Sequence, residues 1–131
     1  MAALSFALAK IIVGDLDAVE KFYTSTLGLT RAAYIEFGEG PGQLQEVILA
    51  VPGGGPTDVK LHLVRYPNNP APVPGEAIVG FMVDDVEATA AAMIAAGGRI
   101  VAPVQEIPEH RLKLAFVADV EGHTVEILQA L

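Results

Sequence analysis

The chain contains no cysteine, and only 8 of its 131 residues are lysine or arginine. Without cysteine it can form no disulfide, no thiolate metal site and no cysteine nucleophile. The 16 acidic residues give a formal net charge of −8, which repels nucleic acid phosphates and anionic membrane surfaces. The charge therefore predicts that the protein binds neither nucleic acid nor membranes. Small molecules and other proteins remain as possible partners.

Long hydrophobic runs are also missing. A membrane-spanning helix needs roughly 18 or more consecutive apolar residues, and Lys10, Asp15 and Asp17 interrupt the most hydrophobic stretch. The first residues lack the basic segment and apolar core of an export signal. These observations predict a cytoplasmic protein.

A short pattern occurs twice, at residues 13–18 and again at residues 83–88, and each copy follows an apolar run. Repeated units of this kind build a shared core from similar halves. A chain of 131 residues, 52% of them hydrophobic, is long enough for one well-buried core but too short for two independent domains. We therefore predict a single domain, residues 1–131, with module one at 1–66, a Pro-rich connector at 67–76 and module two at 77–131.

The order of secondary-structure elements is the same in both modules. Hydrophobic periodicity and Gly/Pro breaks predict a strand at 4–13, a helix from Asp15 to Gly28 and strands at 30–37, 43–51 and 58–65. The second module is predicted to contain a strand at 77–83, a helix at 84–96 and strands at 99–102, 112–118 and 123–129, with a break at 103–108. Each module is therefore β-α-β-β-β.

Several motifs resemble those of the glyoxalase/bleomycin resistance protein/dioxygenase family, the vicinal oxygen chelate superfamily. They are the strand that leads into the first helix, Phe22-Tyr23, Leu27-Gly28-Leu29, the run from Ala115 to Asp119, and Gly122 followed by Val125-Glu126-Ile127. The resemblance implies an α+β fold, with two tandem β-α-β-β-β modules forming an incomplete barrel around a concave cavity, and a homodimer. A one-sheet ferredoxin-like domain is an alternative that accommodates eight strands poorly.

The resemblance also implies where a metal would bind. The ligand positions of metal-dependent members fall on Leu8, His62, Ile78 and Glu126 of this chain. His62 and Glu126 are suitable ligands for Zn, Mn, Fe or Ni, but a catalytic site usually has three protein ligands. We therefore expect metal binding to be weak or absent.

Strand alternation gives His62 and Glu126 a common orientation. His62 lies on the opposite side of its strand from Leu61 and Leu63, and Glu126 on the opposite side from its own apolar neighbours. If the apolar sides meet the helices, both polar groups point into the cavity. They are candidates for metal ligands or for a catalytic acid/base pair. Equally, they could satisfy each other inside the barrel without a catalytic role.

Apolar side chains are expected to complete the cavity and to favour an apolar or aromatic substrate. The predicted substrate-lining residues are Phe6, Leu8, Ile78, Met82 and Leu128. Core packing is the alternative role for this set. His110, on a Pro-bounded loop, is predicted as a further substrate contact, or alternatively as a solvated loop residue.

These features, together with the resemblance, predict a glyoxalase-like enzyme of the lyase, isomerase or dioxygenase type. Its substrate would be a small oxygenated or aromatic metabolite, and His62 and Glu126 its catalytic residues. The alternative is a non-enzymatic binder of small molecules or drugs without metal, as in the bleomycin-resistance branch of the family.

Overall fold

The computed structural model describes all 131 residues and divides them into two compact units, Met1–Pro72 and Val73–Leu131. The division falls inside the predicted connector at 67–76. Prolines crowd this segment, and they lack the backbone N–H that a sheet ladder requires. Neither helix is long and apolar enough to cross a membrane.

Unit 1 contains one helix and four strands in the predicted order. Its elements are β1 (Leu8–Ile12), α1 (Leu16–Leu27), β2 (Thr30–Phe37), a 3-10 turn (Gly40–Gly42), β3 (Leu44–Ala50) and β4 (Lys60–Arg65). The first strand is shorter than predicted, because the residues before Leu8 form no regular structure.

Unit 2 repeats this order. Its elements are β5 (Ile78–Met82), α2 (Val86–Ala95), β6 (Arg99–Ile107), a 3-10 turn (Pro108–His110), β7 (Leu112–Ala118) and β8 (Thr124–Ala130). The prediction that the sixth strand stops before Pro103 was wrong. Proline is tolerated here because β6 is an edge strand, and the ladder is irregular between Ala102 and Gln105.

Each unit forms one open four-stranded sheet. The strand orders are β1-β4-β3-β2 and β5-β8-β7-β6. In each sheet the first strand runs parallel to the last, and the other neighbours are antiparallel. The α+β class and the two tandem β-α-β-β-β modules are therefore confirmed, and the one-sheet alternative is wrong.

The helices begin and end where the local chemistry dictates. The side chains of Asp15 and Asp85 each accept a hydrogen bond of 3.0 Å from the backbone N–H three residues later. These bonds satisfy helix N–H groups that have no partner within the helix. Gly28 closes α1 with φ at 68°, a left-handed conformation that glycine adopts without steric cost.

Helix α1 covers one face of the first sheet and contacts β3 and β4. Val19, Phe22 and Tyr23 of the helix are buried, as are Val47 and Leu63 of the sheet. Because successive strand residues alternate, Lys10, Glu46 and His62 belong to the opposite face, here called the helix-distal face.

Unit 2 has the same organisation. Val86, Ala90 and Met93 of α2 are buried, together with Ala115, Val117, Val125 and Ile127 of β7 and β8. Glu126 and Leu128 alternate with the buried residues of β8 and therefore lie on the helix-distal face of the second sheet.

The two caps generate a prediction. Asp15→Ala and Asp85→Ala should each lower the free energy of unfolding by about 1 kcal/mol, because a helix N–H loses its acceptor. Urea denaturation followed by circular dichroism measures the loss. Asp84→Ala is the control, since Asp84 precedes the cap and accepts no helix hydrogen bond. Equal losses in D84A and D85A would contradict the capping role.

Candidate functional site

Three polar side chains meet on the helix-distal face of the first sheet. Lys10 on β1 is the register partner of His62 on β4. His62 is in turn the partner of Ile48 on β3, and Glu46 lies two residues before Ile48 on the same face. Diagonal neighbours of this kind are within reach of long side chains. The pairing of three strands therefore assembles the group, here called the Lys10–Glu46–His62 cluster.

One oxygen of Glu46 joins the cluster. Its Oε2 atom is 2.9 Å from the Nζ atom of Lys10 and 3.2 Å from the Nδ1 atom of His62. Glu46 and His62 are buried, whereas the side chain of Lys10 is 41% exposed. The carboxylate is thus held between one buried imidazole and one ammonium that reaches the surface.

The charge state of Glu46 follows from two opposing effects. Burial alone raises the pKa of this carboxyl group, because it disfavours the charged form. Hydrogen bonds from Lys10 and His62, together with the positive charge of Lys10, outweigh burial and lower the pKa of Glu46 below its usual value. Glu46 is therefore a carboxylate at neutral pH.

The carboxylate determines which nitrogen of His62 carries the proton. An ionised glutamate only accepts hydrogen bonds, so the Nδ1 atom of His62 donates to it. In the neutral ring the Nε2 atom is then a proton acceptor. Nε2 has no hydrogen-bond partner in the chain, and no fully buried side-chain nitrogen or oxygen lacks one. Nε2 therefore reaches solvent and is available as a base.

Glu126 has different surroundings in the second sheet. Its register partners are Gly80 on β5 and Phe116 on β7. A Cβ atom added to Gly80 would lie 3.6 Å from Leu128 and 4.0 Å from the Cβ atom of Glu126, which is ordinary contact. Glu126 is half-buried, and its carboxylate makes no hydrogen bond or ion pair within the chain. The pairing of His62 with Glu126 stays a prediction.

The predicted apolar lining does not belong to the core. Phe6, Ile78 and Met82 are 73%, 56% and 63% exposed, Leu8 is at the exposed start of β1, and Leu128 is half-buried. Core packing is therefore wrong as the role of the three most exposed side chains. Their contact with a substrate stays a prediction.

The other two histidines lie outside the cluster. His110 ends the 3-10 turn Pro108–His110, where it is exposed, and its contact with a substrate also stays a prediction. His123 is buried in the turn before β8, with its Nδ1 atom 2.9 Å from an oxygen of Asp119. Asp119 also accepts hydrogen bonds from the backbone of Glu121 and His123. The Asp119–His123 pair thus shapes the turn.

A cavity of about 630 Å³ lies beside the first turn of α1. Asp17, Arg31, Tyr34 and Arg65 contribute to its lining. Arg31 pairs with Glu20, and Arg65 donates to Gln45, so both guanidinium groups are already engaged. None of the predicted site residues contributes to this cavity.

The side chains present do not fit a divalent metal. Leu8 and Ile78 have no ligating atom, and no group of three His, Asp or Glu side chains suitable for a metal occurs. In unit 1 the ammonium of Lys10 already pairs with Glu46, the acid nearest to His62. A second cation at this carboxylate would be repelled. Zn, Mn, Fe and Ni all lack a suitable donor set here.

Sequence reasoning missed Glu46 as the partner of His62. It is the one charged residue within the run from Leu44 to Ala50, where charge is unusual for a buried strand. The unusual charge could be noticed from the sequence alone. The sequence could not show that Glu46 contacts His62, because this contact depends on how β3 pairs with β4.

Comparison with known proteins identifies similar chains. The model of the Glyoxalase/Bleomycin resistance protein/Dioxygenase superfamily matches residues 5–127. A protein of Vibrio parahaemolyticus, named as a probable lactoylglutathione lyase, is 29% identical over 130 residues, which cover 89% of this chain and 84% of that protein.

Solved structures share the fold. A glyoxalase family protein from Bacillus cereus superimposes with a TM-score of 0.83 at 21% identity, over 100% of this chain and 97% of that one. A glyoxalase I mutant from Zea mays superimposes with a TM-score of 0.75, also at 21% identity, over 94% of this chain but 46% of that one. The present chain thus spans about half of the maize protein.

The lowered pKa of Glu46 generates a prediction about acid stability. A carboxyl group whose pKa is lower in the folded state stabilises the protein above its unfolded pKa, and this contribution is lost as pH falls. Glu46→Gln should therefore cost about 1–2 kcal/mol of unfolding free energy at pH 7 and reduce the loss of stability between about pH 5 and pH 3.

Urea denaturation at a series of pH values measures both effects. Glu39→Gln is the matched control, since Glu39 is exposed and makes no ion pair. If E46Q and the wild type lose the same stability on acidification, Glu46 is not the stabilising carboxylate.

Proposed function

The chain belongs to the Glyoxalase/Bleomycin resistance protein/Dioxygenase superfamily, and on this premise we propose that it is a glyoxalase-like enzyme that transfers a proton on a small oxygenated metabolite. The observation that carries the proposal is the His62–Glu46 hydrogen bond, which leaves Nε2 of a buried imidazole open to solvent.

The proposed base is His62. An imidazole with one free ring nitrogen can accept a proton from a bound substrate, and histidine is the side chain that most often acts as a general base. Glu46 supports this step, since its carboxylate orients the ring and stabilises the positive charge that develops on it. Removing such a base typically slows a proton transfer by about 10²–10⁴-fold.

Glu126 is the proposed partner acid. Its carboxyl group has no partner within the chain and has Gly80 and Phe116 as its neighbours in the second sheet. Phe6, Leu8, Ile78, Met82, Leu128 and His110 are the proposed substrate contacts. The proposal for this group rests on the pseudo-symmetry of the two modules and on the exposure of most of its members.

Lyase or isomerase chemistry suits this set of side chains best. Both need proton transfer, which an imidazole and a carboxyl group can perform. A metal-dependent dioxygenase needs an iron site with three protein ligands, which the side chains do not form. The relative named as a probable lactoylglutathione lyase makes lactoylglutathione a reasonable first compound to test.

The alternative is a binder without catalytic activity. The exposed side chains of Phe6, Ile78 and Met82 favour it, because apolar groups that remain accessible can hold a hydrophobic or drug-like compound. The two functions differ in whether His62 removes a proton.

We propose that the protein is a homodimer. Exposed apolar side chains that are not proposed substrate contacts occur in both units, among them Phe37, Val59 and Val101. A second copy of the chain would remove part of this surface from water, which stabilises association.

Hydrogen–deuterium exchange tests the catalytic proposal. In D₂O the protein should accelerate loss of the proton next to the thioester carbonyl of lactoylglutathione, followed by proton NMR. His62→Gln should slow exchange by about 100-fold or more, and Glu46→Gln by less, because the base remains. Glu39→Gln is the control. Wild-type exchange that H62Q leaves unchanged contradicts the role of His62, and no exchange at all favours the binder.

Light scattering during size-exclusion chromatography tests the dimer. The expected mass is twice the 13.7 kDa of one chain. A mass of one chain at micromolar concentration, where a stable dimer stays associated, contradicts the homodimer.

A further inference from the structure

We propose that Lys10 binds and stabilises a negatively charged substrate oxygen, and so supplies a fixed positive charge beside the proposed base, His62. The inference rests on the proposed function, because the substrate would be held where His62 can remove its proton. It concerns substrates with a carbonyl or carboxylate oxygen next to the reacting carbon.

The positions of Lys10 and His62 support this role. They are register partners on the parallel strands β1 and β4, so their side chains leave the helix-distal face side by side. The Nζ atom of Lys10 and the Nδ1 atom of His62 both lie within 3.2 Å of one oxygen of Glu46. The shared carboxylate thus gathers the two side chains on one face, and the proposal is that a small substrate bound there contacts Nζ of Lys10 and Nε2 of His62.

Lys10 has donor capacity to spare. An ammonium group carries three protons, and the structure uses one contact, to Glu46. The side chain is 41% exposed, so the remaining N–H groups can reach a ligand. Glu46 fixes the position of the ammonium, and a charge held in place stabilises a developing anion without first reorganising.

The second module lacks this cation. Its pseudo-symmetric counterpart of the row from Lys10 through His62 to Ile48 is the row from Gly80 through Glu126 to Phe116. Leu114 occupies the place of Glu46, since it lies two residues before Phe116. The Lys10–Glu46–His62 cluster is therefore specific to module one and is not a general consequence of the fold.

The chemistry balances without an oxidant. The C–H bond next to the carbonyl breaks, its proton goes to Nε2 of His62, and its electron pair forms a carbon–carbon double bond. The carbonyl oxygen takes the displaced pair and becomes an anion, which Lys10 holds by a charge-assisted hydrogen bond. Return of the proton to the same carbon restores the carbonyl and completes a proton exchange. In an α-hydroxycarbonyl compound the hydroxyl proton can instead pass to the oxygen anion, and return of the first proton to the former carbonyl carbon then completes an isomerisation. Small α-hydroxycarbonyl compounds have the required arrangement.

Oxalate is the probe, because its planar carboxylates resemble such an oxygen anion and it has no proton to remove. Isothermal titration calorimetry should give measurable oxalate binding by the wild type. Lys10→Met should weaken binding by about tenfold or more, as expected for a lost charge-assisted hydrogen bond. Lys10→Arg should retain most of the affinity, since the positive charge remains.

Lys60→Met is the matched control. Lys60 lies on β4 two residues before His62, donates to the backbone oxygen of Asp58 and makes no ion pair. The Lys60→Met substitution removes one positive charge, as Lys10→Met does, but leaves the Lys10–Glu46–His62 cluster unchanged. Oxalate affinity should therefore not change. An equal loss in K60M and K10M overturns the proposal, because the effect is then general electrostatics.

Three further results would also overturn it: no binding of oxalate by the wild type, full affinity in K10M, or loss of wild-type affinity after dialysis against a chelator. If K10M unfolds because Glu46 loses its partner, the double variant K10M/E46Q is compared with E46Q, since neither of these variants has a buried carboxylate at position 46.

The role of His62 is tested separately, because H62Q should lose deuterium exchange and still bind oxalate.

Discussion

Each four-stranded sheet carries one helix, and one helix covers one face. The rest of the structure depends on this constraint. Strand alternation places Val47 and Leu63 under α1 and Val125 and Ile127 under α2. The residues between them must then lie on the helix-distal faces. The apolar residues on either side of His62 and of Glu126 along their strands pack against the helices. His62 and Glu126 therefore lie on the helix-distal faces.

Within that arrangement, the ionised carboxylate of Glu46 organises the candidate site. A buried carboxylate is costly unless hydrogen bonds and opposite charges compensate for lost solvation. Lys10 provides a hydrogen bond and a positive charge, His62 provides a second hydrogen bond, and the lowered pKa of Glu46 is the result. The same carboxylate sets the tautomer of His62 and the position of Lys10.

The repeat in the sequence allowed much of the fold to be predicted. The strands at 30–37 and 112–118 have the predicted bounds, and Gly28 ends α1 as expected. Local patterns are sufficient for such elements, because side-chain periodicity and backbone preference act over a few residues. The sixth strand was predicted too short. Pro103 breaks a ladder in the middle of a sheet but not at an edge, and the position of a strand within its sheet is not a local property.

The sequence by itself determined the two β-α-β-β-β modules, the polarity of each strand face and the placement of His62 and Glu126 away from the helices. Only the tertiary structure decided that Glu46 and Lys10 meet His62. Residues 10, 46 and 62 lie far apart along the chain, and the register of β1, β3 and β4 brings them together. A shift of one residue in either pairing would place the partners on opposite faces. Because register depends on contacts across the whole sheet, no single strand encodes the cluster.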